Sequence, residues 1–193
     1  MVSPRDRDLV RSLQHGDLEA LGVLYDRHRQ LVFRTALAIT ADEEQAADLL
    51  HDVFLRLHRF ADRIDPDRPL EPWLYRMTAN LAYTTLKRRN LWLRALREMA
   101  EWLARERRPT PQGQAEIDEA WEQVRDALAC LPVQQRVVVV LYYLNDLPVH
   151  QIAEILSVPV GTVKSRLHYG RRAIKATLGI GRESLPEAYY EFT

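Results

Sequence analysis

Apolar residues recur at three- and four-residue intervals along most of the chain, the period of an amphipathic helix. Ser3-Pro4-Arg5-Asp6 predicts a helix start, with Ser3 as N-cap, Pro4 in the first turn and an acid three residues after the cap. Gly16 ends that helix and Asp17 caps the next, whose predicted inward stripe is Leu18, Leu21, Leu24, Tyr25, Leu31 and Val32. A third helix is predicted from Asp42 to Phe60, with Ala46, Leu49, Leu50, Val53, Phe54 and Leu57 inward. Pro66, Pro69 and Pro72 forbid a continuous helix over 62–72. A new helix follows from Pro72 or Trp73, placing Leu74, Met77, Leu81 and Leu86 on one side and running toward Arg89 or further. Pro109, Pro111 and Gly113 break the pattern and mark a linker. Beyond it, Glu116–Cys130, Val133–Leu144, Val149–Leu156 and Gly161 to about Leu178 read as helices. Val137–Val140 are four β-branched residues in a row, yet nothing else in the chain offers them a strand partner. The expected fold is all-α: two small helical domains joined by a linker.

Composition adds exclusions. In 193 residues there is one cysteine, Cys130, so neither an internal disulfide nor a cysteine-based zinc site is expected. The longest apolar run, Val137–Leu144, falls well short of the ~20 residues that span a bilayer, and the N-terminus has no apolar signal core. A cytoplasmic location is expected. The net charge is zero, 27 bases against 27 acids, but it is segregated. Residues 41–54 carry five acids and no Lys or Arg; residues 161–182 carry six bases and no acid. Each block taken alone reads equally as a solvated helix face; together they suggest a protein that meets both a polyanion and a basic protein surface.

The last basic block coincides with a helix-turn-helix pattern, PVHQIAEILSVPVGTVKSRLHYGRRAIK. Ile152, Ala153 and Leu156 are expected inward on the first helix. Val158 fills the turn, and Val163, Leu167 and Ile174 pin the second helix. The other face carries Thr162, Lys164, Ser165, Arg166, His168, Tyr169, Arg171, Arg172 and Lys175, side chains suited to base edges and phosphates.

The stretch LPVQQRVVVVLYYLNDLPVHQIAEILSVPVGTVKSRLHYGRRAIK resembles region four of a bacterial RNA polymerase sigma factor. DEEQAADLLHDVFLRLHRF resembles the region-two helix that docks on the polymerase clamp, and EPWLYRMTANLAYTTLKRR resembles the segment that reads and melts the minus-ten element. With these two domains and a short linker, the chain resembles the extracytoplasmic-function group. The resemblance implies a region-two domain over 1–92, a linker over 93–115, a region-four domain over 116–178 and a tail over 179–193. It implies a transcription initiation factor with no catalysis and no cofactor. Its partners would be core RNA polymerase, through the clamp and flap regions of the large subunits, promoter DNA and an anti-sigma factor.

Under that reading the minus-thirty-five element is met by the basic face of 162–175, with base reading assigned to Lys164, Ser165 and Arg166 and phosphate contact to Arg171, Arg172 and Lys175. Melting needs aromatic faces and a basic track for a single strand. Trp73, Tyr75 and Tyr83 supply rings, Arg76, Lys87 and Arg88 supply charge, and Asn80 and Thr84 supply polar groups for base edges. Trp73 suits a core position as well. Asp48, His51, Asp52 and Arg56 are the expected polymerase contacts, since 48, 52 and 56 share a helix face. Asp48, His51 and Asp52 also have the spacing of a metal trio, but no second ligand set completes a sphere and no metal is expected.

Three positions depart from the family pattern. His51-Asp52 stands where Gln and an acid are usual, Thr84 stands where Asp is common, and Ser157 occupies a turn position usually held by Gly. The basic, aromatic segment 92–108 either threads toward the polymerase channel or packs on the first domain. A receiver-type regulator would need alternating strands within 1–110, where none are patterned. An enzyme would need a phosphate loop, a nucleophile elbow or a paired-carboxylate site, and the sequence has none of these.

Overall fold

The computed structural model describes residues 5–103 and 126–177, all helices and connections. The predicted Ser3 and Pro4 helix start and most of the predicted 116–130 helix lie outside the described residues, as does the 179–193 tail. The first helix, α1, runs Asp6–Gln14 with Arg5 at its N-cap, whose side chain makes no capping bond. Gly16 then takes φ +89°, a conformation natural to glycine, and Asp17 caps α2 (Leu18–Thr40) by accepting hydrogen bonds from the Glu19 and Ala20 amides at 2.9 and 3.4 Å.

Helix α3 (Glu43–Arg59) begins with Asp42 as its N-cap. The Asp42 carboxylate accepts from both the backbone amide and the side-chain amide of Gln45, at 3.1 and 2.5 Å. The proline-rich segment holds a short 3-10 turn at Ala61–Arg63. Gln14 on α1 donates to the Ala61 and Ile64 carbonyls at 3.0 and 2.9 Å, which fastens that loop to the helical frame. Helix α4 spans Glu71–Leu103, so it continues without a break past the expected boundary at residue 92.

Helices α2, α3 and α4 pack on one another, with α1 laid across α2. Every residue of the predicted α3 stripe is buried, as are Leu24 and Val32 on α2. Leu18 was expected inward but is 61 % exposed; it is the first residue of the helix, next to the Asp17 cap.

In the second half, Pro132 precedes α5 (Val133–Tyr143), α6 covers Val149–Leu156 and α7 covers Val160–Thr177. Val137–Val140 are helical and each is at most 4 % exposed. Burial of these side chains, worth ~1.5–3 kcal/mol apiece, overrides a weak β preference. On α6 the buried set is Ile152, Ala153 and Ile155; Leu156, expected inward, is only half-buried, because the helix ends there.

The two halves share one apolar core. α5 packs against α2 and α4, and α6 packs against α4. Arg136 on α5 is 6 % exposed and reaches across this boundary. It donates to the Ile39 carbonyl near the C-terminus of α2 at 2.6 Å, and to the Ala129 and Leu131 carbonyls at 2.6 and 3.1 Å. Burial pulls its pKa below the ordinary guanidinium value, with Cys130 weakly opposing.

Candidate nucleic-acid and polymerase interfaces

The helix-turn-helix is built by α6 and α7. Ser157 closes α6 at φ 53°, ψ 47°, the left-handed conformation that glycine would adopt at lower cost. Val158 follows half-buried, its amide bonded to the Ala153 carbonyl at 3.0 Å. Val163 and Leu167 are buried and seat α7, while Ile174 is half-buried. Behind them lies a feature the periodicity did not reveal: Gly170 is buried against α5, where an added Cβ would sit 2.7 Å from Val139 Cγ2. That glycine lets α7 approach α5 closely, and only the packing partner reveals its purpose.

The outer face of α7 presents Lys164, Ser165, His168, Tyr169 and Arg172 to solvent, with Thr162, Arg171 and Lys175 half-buried. Tyr169 is 56 % exposed and its ring meets His168 edge-on, with centroids 5.5 Å apart. Arg166 differs from its neighbours: it is half-buried and donates to the Gln134 side chain on α5 at 3.0 Å. Ser165 Oγ donates to the Thr162 carbonyl at 3.0 Å, and Arg171 Nε to the Leu167 carbonyl at 3.4 Å. Five bases, Lys164, Arg166, Arg171, Arg172 and Lys175, and no acid lie on α7, so this helix has the charge for a polyanion.

On α4 the nominated residues divide. Asn80, Tyr83, Thr84, Lys87 and Arg88 are exposed. Trp73 is half-buried against the core. Tyr75 is buried at 8 % exposure; burial raises its phenol above the ordinary value, with Asn145 of the second half acting the other way. Arg76 is exposed, but its guanidinium donates to Ser157 Oγ at 2.5 Å. Tyr75 and Arg76 thus face the helix-turn-helix domain in this arrangement.

The outer face of α3 is open: Asp48, His51, Asp52 and Arg56 are all exposed. His51 Nδ1 lies 2.8 Å from the Ala47 carbonyl, so Nε2 is the nitrogen left to a partner. Leu55, one turn after His51, is 64 % exposed. It lies on the same outer face as Asp48, His51 and Asp52. Counting only its inward stripe conceals it.

Among the described residues, the side chains placed to share a cation are Asp6, His28 and Glu71, with one ligand atom each within 4.8 Å of one another; Asp48, His51 and Asp52 are not so grouped. Asp6 already pairs with Arg27 and with His28 Nε2, the latter at 2.7 Å. That cluster ties α1 to α2 beside the start of α4. No helix among the described residues is long and apolar enough to cross a membrane.

A basic helix-turn-helix and a separate acid-bearing helix, with the described residues helical apart from their connections, fit a DNA-binding adaptor. Comparison with known proteins makes the class specific. Residues 24–91 match the family described as Sigma-70 region 2, and residues 121–174 match Sigma-70, region 4. The chain is 34 % identical over 158 residues to the ECF RNA polymerase sigma factor SigL of Mycobacterium tuberculosis, covering 80 % of this chain and 86 % of that one. It is 27 % identical over 176 residues to the ECF RNA polymerase sigma factor SigW of Bacillus subtilis, covering 88 % and 94 %. The solved structure of CnrH in complex with the cytosolic domain of CnrY superposes with a TM-score of 0.65 at 25 % identity, over 90 % of this chain and 97 % of that one. The chain belongs to the sigma-70 family, and within it to the ECF RNA polymerase sigma factors. It is a transcription initiation factor, a partner of core RNA polymerase and of promoter DNA, and not an enzyme.

Proposed function

We propose that the work is divided among three surfaces. The α3 face, through Asp48, His51, Asp52 and Arg56 with Leu55 as apolar anchor, docks on the polymerase clamp, and the second domain meets the flap. The α4 face from Trp73 to Arg88 reads and melts the minus-ten element. The α7 face reads the minus-thirty-five element, Lys164, Ser165 and Arg166 toward bases and Arg171, Arg172 and Lys175 toward phosphates. The domains divide as 1–92, 93–115 and 116–178, with the tail following. The protein acts in the cytoplasm and is held in check by an anti-sigma factor, a reading supported by its likeness to CnrH, whose solved complex contains the cytosolic domain of CnrY.

One observation carries the division: the acid-bearing face of α3 and the basic face of α7 are both exposed, on separate helices, with opposite charge. It is tested by two variants assayed for two kinds of binding. Asp48→Lys with Asp52→Lys is expected to lose core polymerase affinity while keeping its helical circular dichroism. Arg171→Ala with Arg172→Ala and Lys175→Ala is expected to keep core affinity, while the reconstituted holoenzyme loses duplex binding with a flattened salt dependence. The reverse pattern would overturn the division.

A further inference from the structure

One cluster of titratable side chains belongs to none of the three surfaces. It gathers Asp6, the first residue of α1, His28 within α2, and Glu71, the first residue of α4. Leu24 and Val32, one turn before and one turn after His28, are fully buried, so the imidazole stands on the inward stripe of α2. Its side chain is 6 % exposed, against 22 % for Asp6. His28 Nε2 lies 2.7 Å from Asp6 Oδ2, and the other Asp6 oxygen is held by Arg27. Glu71 brings a third ligand atom within 4.8 Å of the first two. Among the described residues its carboxylate makes no hydrogen bond or ion pair. Two carboxylates side by side repel, and Arg27 answers only the Asp6 charge.

We propose that Asp6, His28 and Glu71 form a binding site for one divalent first-row metal ion, of the zinc or manganese kind. One imidazole and two carboxylates are a mixed nitrogen and oxygen set, which suits those ions. Calcium and magnesium favour oxygen alone. Three protein ligands leave a position for water, as in an open zinc site. Bonds of about 2.0–2.2 Å put neighbouring ligand atoms roughly 3–3.5 Å apart. The His28–Asp6 pair then opens by a few tenths of an ångström, while the half-buried Glu71 closes in on its flexible stem. The ion takes the Nε2 lone pair, so the ring proton stands on Nδ1. Arg27 already fills the outer role that orients a ligating carboxylate. Ligands drawn from three helices leave no spacing signature in the sequence.

Bound there, the ion joins the starts of α1 and α4 to α2. Helix α1 also carries Arg7 and Arg11, which meet Asp67 at 2.9 and 3.2 Å, and Gln14, which holds the Ala61 and Ile64 carbonyls. The loop ahead of α4 therefore hangs from α1, and the ion fixes α1 against the first turn of α4. The site owes nothing to which residues touch DNA or polymerase, so it stands or falls apart from the function proposed above.

The test is metal titration of the full chain, carrying Cys130→Ser to remove the exposed thiol and stripped beforehand with a chelator. Zinc chloride and, separately, manganese chloride are followed by calorimetry and by the thermal midpoint of the helical signal. One equivalent of at least one ion should bind, and at a hundredfold excess over Kd the midpoint should rise by roughly 5–10 °C. Glu71→Gln removes a ligand without breaking any hydrogen bond or ion pair, and should weaken binding at least about tenfold. His28→Gln should abolish binding; if it loses helical signal, Glu71→Gln decides alone. His58→Gln, at an exposed histidine on α3, should leave the titration as it is. No midpoint rise with either ion, equal affinity in Glu71→Gln and the parent, or loss of binding in His58→Gln would each overturn the site.

Discussion

Replacing Gly170 by alanine tests how tightly α7 is set on α5. The new Cβ would stand 2.7 Å from Val139 Cγ2 and 3.7 Å from Gln135 Cβ. Carbon pairs prefer about 3.5–4.0 Å, so the Val139 contact is short by roughly 1 Å while the Gln135 contact is ordinary. Val139 is 4 % exposed and β-branched in a helix, where one χ1 rotamer dominates, so its methyl has little freedom to swing away. Overpacking of this kind costs ~1–3 kcal/mol, and the gain in helix propensity from glycine to alanine returns ~0.8–1.0 kcal/mol. The net expectation is a destabilisation of about 1 kcal/mol. Val139→Ala alone should cost about 2 kcal/mol, from two lost carbons at ~0.8 each plus the void they leave. In the Val139→Ala background the clash is gone, so Gly170→Ala should become stabilising by up to ~1 kcal/mol. The sign reversal, read from urea midpoints of the helical signal at constant m, is the diagnostic result. If Gly170→Ala stabilises the parent chain, and the two substitutions add independently, the close approach of α7 to α5 is not what the glycine serves.

Other expectations follow from the same geometry. Arg166→Ala, if the side chain leaves Gln134 to meet a base, should cost the holoenzyme ~1–3 kcal/mol on its preferred promoter and relax choice at one position, whereas Arg172→Ala should weaken all sequences alike; a promoter panel at two salt concentrations separates them. Leu55→Asp should lower core polymerase affinity by at least tenfold with little loss of thermal stability, because the side chain is 64 % exposed in the free chain; unchanged affinity by titration would remove it from the docking face. Ser157→Gly should relieve the strained φ of 53° and raise the melting temperature slightly, unless loss of the Arg76 bond outweighs it; comparing the change with and without Arg76→Ala shows which term wins.

Most of the helical frame was legible from periodicity, because amphipathic stripes such as Ala46 to Leu57 are dictated by the 3.6-residue repeat and the core they face. Caps were legible where the chemistry is local: Asp17 and Asp42 act within three residues of themselves. What escaped the sequence depends on distant partners. Gly170 looks like an ordinary helix interior until Val139 stands opposite, and Arg136 looks like a solvated base until Ile39 offers its carbonyl. Tyr75 was read as a free ring for a melted base, and only the placement of Asn145 shows it covered. Leu55 was passed over for the opposite reason, since a lone outward leucine carries no periodic signal.

The central claim is that this chain confers promoter choice on core RNA polymerase. The direct measurement is run-off transcription from a library of genomic fragments of the source organism, with core polymerase alone and with core plus the chain. The account predicts transcripts that start at discrete sites only when the chain is present, downstream of a shared pair of elements near minus thirty-five and minus ten. A chain that binds core stably yet yields no start site beyond those of core alone would contradict it.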